Sequence, residues 1–83
     1  LYSIFLSDKA KKQLKKLEKN IQERIIIALD RIKFRPESFV TKLVGVSAYK
    51  FRVGDYRIII DIDKGELIIL IIEVGHRRNI YKK

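Results

Sequence analysis

Cysteine is absent from the 83 residues, which excludes a disulfide framework and any thiolate metal site and suits a reducing compartment. A single histidine leaves too few imidazoles for a zinc site. Acidic residues are scarce, with 10 Asp and Glu against 19 Lys and Arg and a formal charge of +9. Long apolar runs are missing as well. The longest, residues 67–72, has the length of a strand and falls well short of a membrane span. The N-terminus lacks the basic segment, apolar core and small-residue cleavage site of a signal peptide, so a cytoplasmic protein with no membrane partner is expected. There is no Walker loop, no Ser-His-Asp arrangement and no acidic metal cluster. Asp61, Asp63, Glu66 and Glu73 read as turn and strand-end residues, so neither metal nor cofactor is expected.

What is present is one domain, residues 1–83, with 47% hydrophobic residues, enough for a folded core. A domain this small leaves much of its surface exposed, so its stability should be modest. The positive charge repels itself in the compact state, which points to a polyanionic partner, nucleic acid first and an acidic protein second. A surface serving solubility, or heat adaptation with Lys, Arg, Glu and Ile enriched, would also account for it.

Residues 2–6 predict a short first strand. Ser7 or Asp8 can cap a helix in which Ala10, Leu14, Leu17 and Ile21 recur at helical spacing. Lys9, Lys11, Lys12, Lys15, Lys16 and Lys19 surround that stripe. Asn20 followed by Glu23 has the form of a capping box and predicts a second helix, which Pro36 must end. The connection is short, so an antiparallel helical hairpin is expected. Residues 36–48 read as a loop. The period then changes: Tyr49, Phe51 and Val53 alternate with Lys50 and Arg52, and Gly54-Asp55 suits a type II′ turn. Residues 56–62 form the next strand and Asp63-Lys64-Gly65 a second turn. Residues 66–74 form a strand apolar enough to be buried on both faces, and Gly75 should end it. The expected fold class is α+β: an N-terminal strand and a helical hairpin packed on one face of a small, mostly antiparallel four-stranded sheet.

The turn fixes a register. With Gly54-Asp55 as the loop, Val53 faces Tyr56, Arg52 faces Arg57, Phe51 faces Ile58 and Lys50 faces Ile59. Lys50, Arg52 and Arg57 therefore share one face, and the aromatic and aliphatic residues share the other. Like charges opposite each other weaken a strand pair, so this cluster makes sense if an anion covers it. Phosphate fits, because guanidinium groups hold its oxygens bidentately. A solvated cationic face with splayed side chains is the alternative. Beyond the last strand, His76, Arg77, Arg78 and Tyr81 add cations, an imidazole and a ring, a combination suited to an unstacked RNA base beside its phosphate. Tyr81 could instead anchor the C-terminus to the core, and His76 could be a surface residue after a turn. Lys9, Lys12 and Lys16 lack interleaved aromatics, so their helix face either contacts RNA phosphates without reading bases or is simply solvated. A nuclease on this scaffold would rely on positioning and on cationic stabilisation of its transition state.

The early Ala-Lys-Lys-x-Leu-x-Lys-Leu helix, Lys42-Leu43-x-Gly45, the run from Tyr49 to Arg57, and Val74-Gly75-His76-Arg77 followed by Tyr81 together resemble the RelE family of bacterial and archaeal toxins, within the RelE/ParE superfamily. The resemblance covers nearly the whole chain. It implies a microbial-RNase-like fold, binding in the ribosomal A site, and cleavage of the mRNA there through attack of a 2′-OH on its own phosphate. Lys50 and Arg52 fall on the family's two basic second-strand positions. Arg57 falls on the phosphate-binding arginine, Arg77 on the arginine after the Val-Gly-basic step, and Tyr81 on the tyrosine that stacks on the substrate base. It also implies a cognate antitoxin of the RelB type, acidic and partly disordered. The departures are Arg52 where well-known members carry lysine, His76 where some carry lysine, and too little chain after Tyr81 for the long C-terminal helix of some members. Arginine stays protonated and is a poor general base, so Lys50 or His76 is expected to take the 2′ proton. Two other readings share the fold: a ParE-like poison of DNA gyrase, and an RNA-binding relic without activity.

Overall fold

The computed structural model describes residues 1–76. It contains β1 (Ser3–Leu6), α1 (Asp8–Lys15), α2 (Lys19–Ile32), a single 3-10 turn (Pro36–Ser38), β2 (Thr41–Lys42), β3 (Tyr49–Val53), β4 (Tyr56–Asp63) and β5 (Ile68–His76). The strands form one sheet in the order β1-β5-β4-β3-β2, with β1 parallel to β5 and every other pairing antiparallel. The α+β class and mostly antiparallel sheet are as expected, with five strands in place of four. The added strand is β2, two residues long and too short to show an alternating pattern in the sequence.

Alternation decides where the core lies. Phe51 and Val53 of β3, Ile58 and Ile60 of β4, and Ile69, Ile71 and Val74 of β5 are buried on one face. Ala10 and Leu14 of α1 and Ile25, Leu29 and Ile32 of α2 close over them. α1 lies over β5 and β1, and α2 reaches β3. The β-branched isoleucines suit a pleated, half-buried surface, and each full burial contributes about 1.5–3 kcal/mol.

Several boundaries differ from the sequence reading, each for a local reason. Ser7, not Asp8, caps α1: its hydroxyl accepts from the Ala10 amide at 3.0 Å and donates to the Ile72 carbonyl at 2.8 Å. Asn20 and Glu23 do not make a capping box. α2 starts earlier, with Glu18 at the cap position and no side-chain capping bond. Gln22 instead ties the connection between the helices, donating to the Leu17 carbonyl at 2.8 Å. α2 ends at Ile32, and the chain then turns through Arg35 into the buried Pro36. β5 begins at Ile68, because Asp63 Oδ1 accepts from the amides of Gly65 and Glu66 at 3.0 Å each and holds the connection as a tight loop. Gly75 does not end β5, since Arg57 pairs with Gly75 and Tyr56 with His76. Nor is β5 buried on both faces, because Leu70 points away from the helices and is exposed.

The far half of β5 outruns β1. β1 pairs only as far as Ile71, and a register shift against β4 between Ile59 and Ile60 marks a β-bulge near that point. Side chains from the α1 segment then take over the open edge: Ser7 holds the Ile72 carbonyl, and Gln13 Oε1 accepts from the Val74 amide at 2.7 Å. Ser7 thus serves a helix cap and a bulged strand together. Ser7→Ala should cost about 1–2 kcal/mol in urea denaturation, against a few tenths of a kcal/mol for Asp8→Ala, which loses only a favourable charge near the helix N-terminus.

Candidate functional site: a cationic sheet face

The β3–β4 hairpin has the register that Gly54-Asp55 demands. Val53 pairs with Tyr56, Arg52 with Arg57, Phe51 with Ile58 and Lys50 with Ile59. Gly54 sits at φ +59°, the first central position of a type II′ turn, where a side chain would be strained. Phe51 and Val53 are consequently buried, while Lys50, Arg52 and Arg57 emerge on the face away from the helices.

Two cross-strand rows build that face. One runs Arg52, Arg57, Gly75 across β3, β4 and β5; the other runs Thr41, Lys50, Ile59, Glu73 across β2 to β5. Partners in a row lie about 5 Å apart. Gly75, the cross-strand partner of Arg57, adds no side chain to that row. Arg52 is exposed and its Nε donates to the Gly54 carbonyl at 3.2 Å, which lays the guanidinium along the hairpin. Lys50 and Arg57 are half-buried. Among the described residues no carboxylate pairs with Lys50 or Arg52; the acidic partners there serve Lys9, Lys33 and Lys64. Adjacent cations on one sheet face form a surface suited to a phosphodiester.

Thr41 is the residue that the sequence reading missed. It places a hydroxyl beside Lys50, and its only sequence signal is its position just before Lys42-Leu43-x-Gly45.

His76 does not join this cluster. It pairs with Tyr56 on the helix side of the sheet, and the two rings meet edge to face with centroids 5.3 Å apart and planes at 79°. Lys9 and Lys16 line a groove with it, while Lys12 does not. Arg77, Arg78 and Tyr81 lie outside the described residues. A second groove, of about 490 Å³, runs between α2 and β3 with Arg24 and Arg31 flanking Ile27 and Val53. No group of histidines and acidic residues able to hold a metal occurs among the described residues, and no helix there is long and apolar enough to cross a membrane.

Two helices on one face of a five-stranded sheet is a fold shared with chains of solved toxin–antitoxin complexes. A chain of the RelBE2 toxin–antitoxin complex from Mycobacterium tuberculosis is similar with a TM-score of 0.85 at 24% identity, covering 92% of this chain and 98% of that one. The archaeal RelE–RelB complex from Pyrococcus horikoshii gives 0.78 at 29%, covering 92% and 94%. The intact RelBE complex of Escherichia coli gives 0.79 at 23%, covering 92% and 96%. Comparison with curated proteins gives no match. Residues 4–81 match the family model for the ParE toxin of type II toxin–antitoxin systems, parDE, and the chain belongs to that toxin family, within the RelE/ParE superfamily.

The opposition of Arg52 and Arg57 should cost stability in the absence of an anion. Arg52→Thr is expected to raise the stability of the free protein by about 0.5–1 kcal/mol at low salt, less at higher ionic strength. Thermal melting of the parent and the variant at two salt concentrations checks this.

Proposed function

We propose that this toxin cuts messenger RNA in the ribosomal A site. The observation that carries the reading is the Arg52–Arg57 pair with Lys50 on the same sheet face. Such a face suits the two tasks of metal-independent RNA cleavage, which are to hold a phosphodiester and to stabilise the charge that builds on it. The 2′ oxygen of one nucleotide attacks the adjacent phosphorus. The P–O5′ bond breaks, a 2′,3′-cyclic phosphate forms, and the departing 5′ oxygen takes a proton. Arg52 and Arg57 hold the non-bridging oxygens. Lys50 takes the 2′ proton, since lysine, unlike arginine, can release its own. The position of His76 on the helix side of the sheet favours Lys50 over the imidazole for this role. By resemblance, Arg77 serves the leaving oxygen and Tyr81 stacks on the base.

A cytoplasmic toxin of this kind needs an antitoxin, and an acidic, partly disordered RelB-like partner complements a charge of +9. The solved relatives from Mycobacterium tuberculosis, Escherichia coli and Pyrococcus horikoshii are toxin–antitoxin complexes.

The family model that matches is that of ParE toxins, which favours a second reading, inhibition of DNA gyrase. Two assays separate the readings. On programmed ribosomes, toeprinting should reveal A-site cleavage leaving a cyclic phosphate, and a 2′-deoxy nucleotide at the cut should abolish it. Lys50→Ala should slow single-turnover cleavage about 10²–10⁴-fold, and Arg57→Ala about 10²–10³-fold. Intact mRNA together with blocked gyrase supercoiling would establish the second reading instead.

A further inference from the structure

The groove beside His76 has no part in the chemistry proposed above, yet several elements of the fold combine to build it. It lies where β5 outruns β1, at the sheet edge that α1 covers. Gln13 pins α1 to that edge through the Val74 amide. The opening, about 480 Å³, is lined by Lys9 and Gln13 from α1, by Lys16 at its C-cap, by Tyr56, and by Glu73 and His76 from β5. Lys9 in the first turn of α1 and Lys16 at its C-cap, about two helical turns apart, both line this groove. Tyr56 and His76 contribute a packed pair of rings.

The position of this groove relative to the cationic face matters most. Arg52, Arg57 and Gly75 form a row that ends at β5, and His76 is the next residue, pointing to the other side. Gly75, the partner of Arg57 in that row, also lines the groove, so the two features adjoin at the sheet edge.

We propose that this groove is a second RNA subsite, taking a nucleotide that flanks the one held on the cationic face, with its phosphate between Lys9 and Lys16 and its base against the Tyr56–His76 pair. Ammonium groups give charge without base reading, and the rings accept any base, so the subsite adds affinity and direction to the strand and little sequence preference. Glu73 acts against it. Its carboxylate holds Lys9 Nζ at 3.6 Å, and both side chains are solvent-accessible, so an incoming phosphate displaces a weak pair. The inference rests on RNA being the substrate of the cationic face.

The test is fluorescence anisotropy of the full chain with a short labelled oligouridylate, and inorganic polyphosphate as a probe without bases. Lys9→Gln with Lys16→Gln, both exposed, should weaken RNA binding about tenfold at low salt. The slope of log affinity against log salt should flatten by about 0.7 for each phosphate no longer neutralised. Glu73→Gln should tighten binding. His76→Ala should weaken RNA binding more than polyphosphate binding, and equal weakening on the two probes would overturn the base contact. Should the double lysine variant bind RNA like the parent while Lys50→Gln with Arg52→Gln does not, the second subsite is overturned and the cleavage reading survives. Should the double lysine variant lose only an acidic protein partner, the groove is a protein-docking site and the proposal fails. Absence of RNA binding by the parent chain would instead overturn the cleavage reading itself.

Discussion

Everything on the cationic face depends on the pairing of Val53 with Tyr56 across the Gly54-Asp55 turn. A two-residue turn leaves no slack. Because side chains alternate, a slip of one residue would bury Lys50 and Arg52 and expose Phe51 and Val53. The apolar face and the charged face therefore enforce one another. Burial of Phe51, Val53, Ile58 and Ile60 under the helices holds Arg52 against Arg57 although those charges repel. Hydrophobic burial of about 1.5–3 kcal/mol per side chain easily outweighs a cross-strand repulsion of about 1 kcal/mol or less. The core can thus hold ready a charge cluster that an anion would relax.

The second constraint is at the sheet edge. β1 is short, so β5 leaves part of its edge without a strand. Ser7 and Gln13 satisfy backbone groups there through side chains. That arrangement lets β5 continue to His76, brings the basic side of α1 against it, and sets the bare Gly75 beside Arg57. A longer β1 would pair these groups and close the groove.

The elements that were legible in the sequence share a property: their signal is local and repeated. The period of 3.6 around Ala10 and Leu14, the period of 2 from Tyr49 to Val53, and the Gly54-Asp55 turn each follow from neighbouring residues. The hairpin register, and with it the shared face of Lys50, Arg52 and Arg57, could be derived without knowledge of any relative. The misread features depend on distant residues. Nothing near Asn20 and Glu23 announces that α2 starts earlier at Lys19. A two-residue strand such as β2 exists only because β3 is there to pair with it, so Thr41 could not be placed beside Lys50.

The sequence by itself determined the basic character, the order of the helices and main strands, and the three cations of the β3–β4 hairpin, because charge, periodicity and a tight turn are properties of adjacent residues. Tertiary structure alone decided the fate of His76. Sequence places it next to Gly75 and one residue before Arg77, which suggested a common site with Lys50. The pairing of Tyr56 with His76 turns the imidazole to the helix side, away from Lys50 and toward Lys9 and Lys16. The reason is the pleat. Once β5 continues past Gly75, consecutive residues must point to opposite faces, and only strand pairing over distant sequence could establish that β5 continues that far.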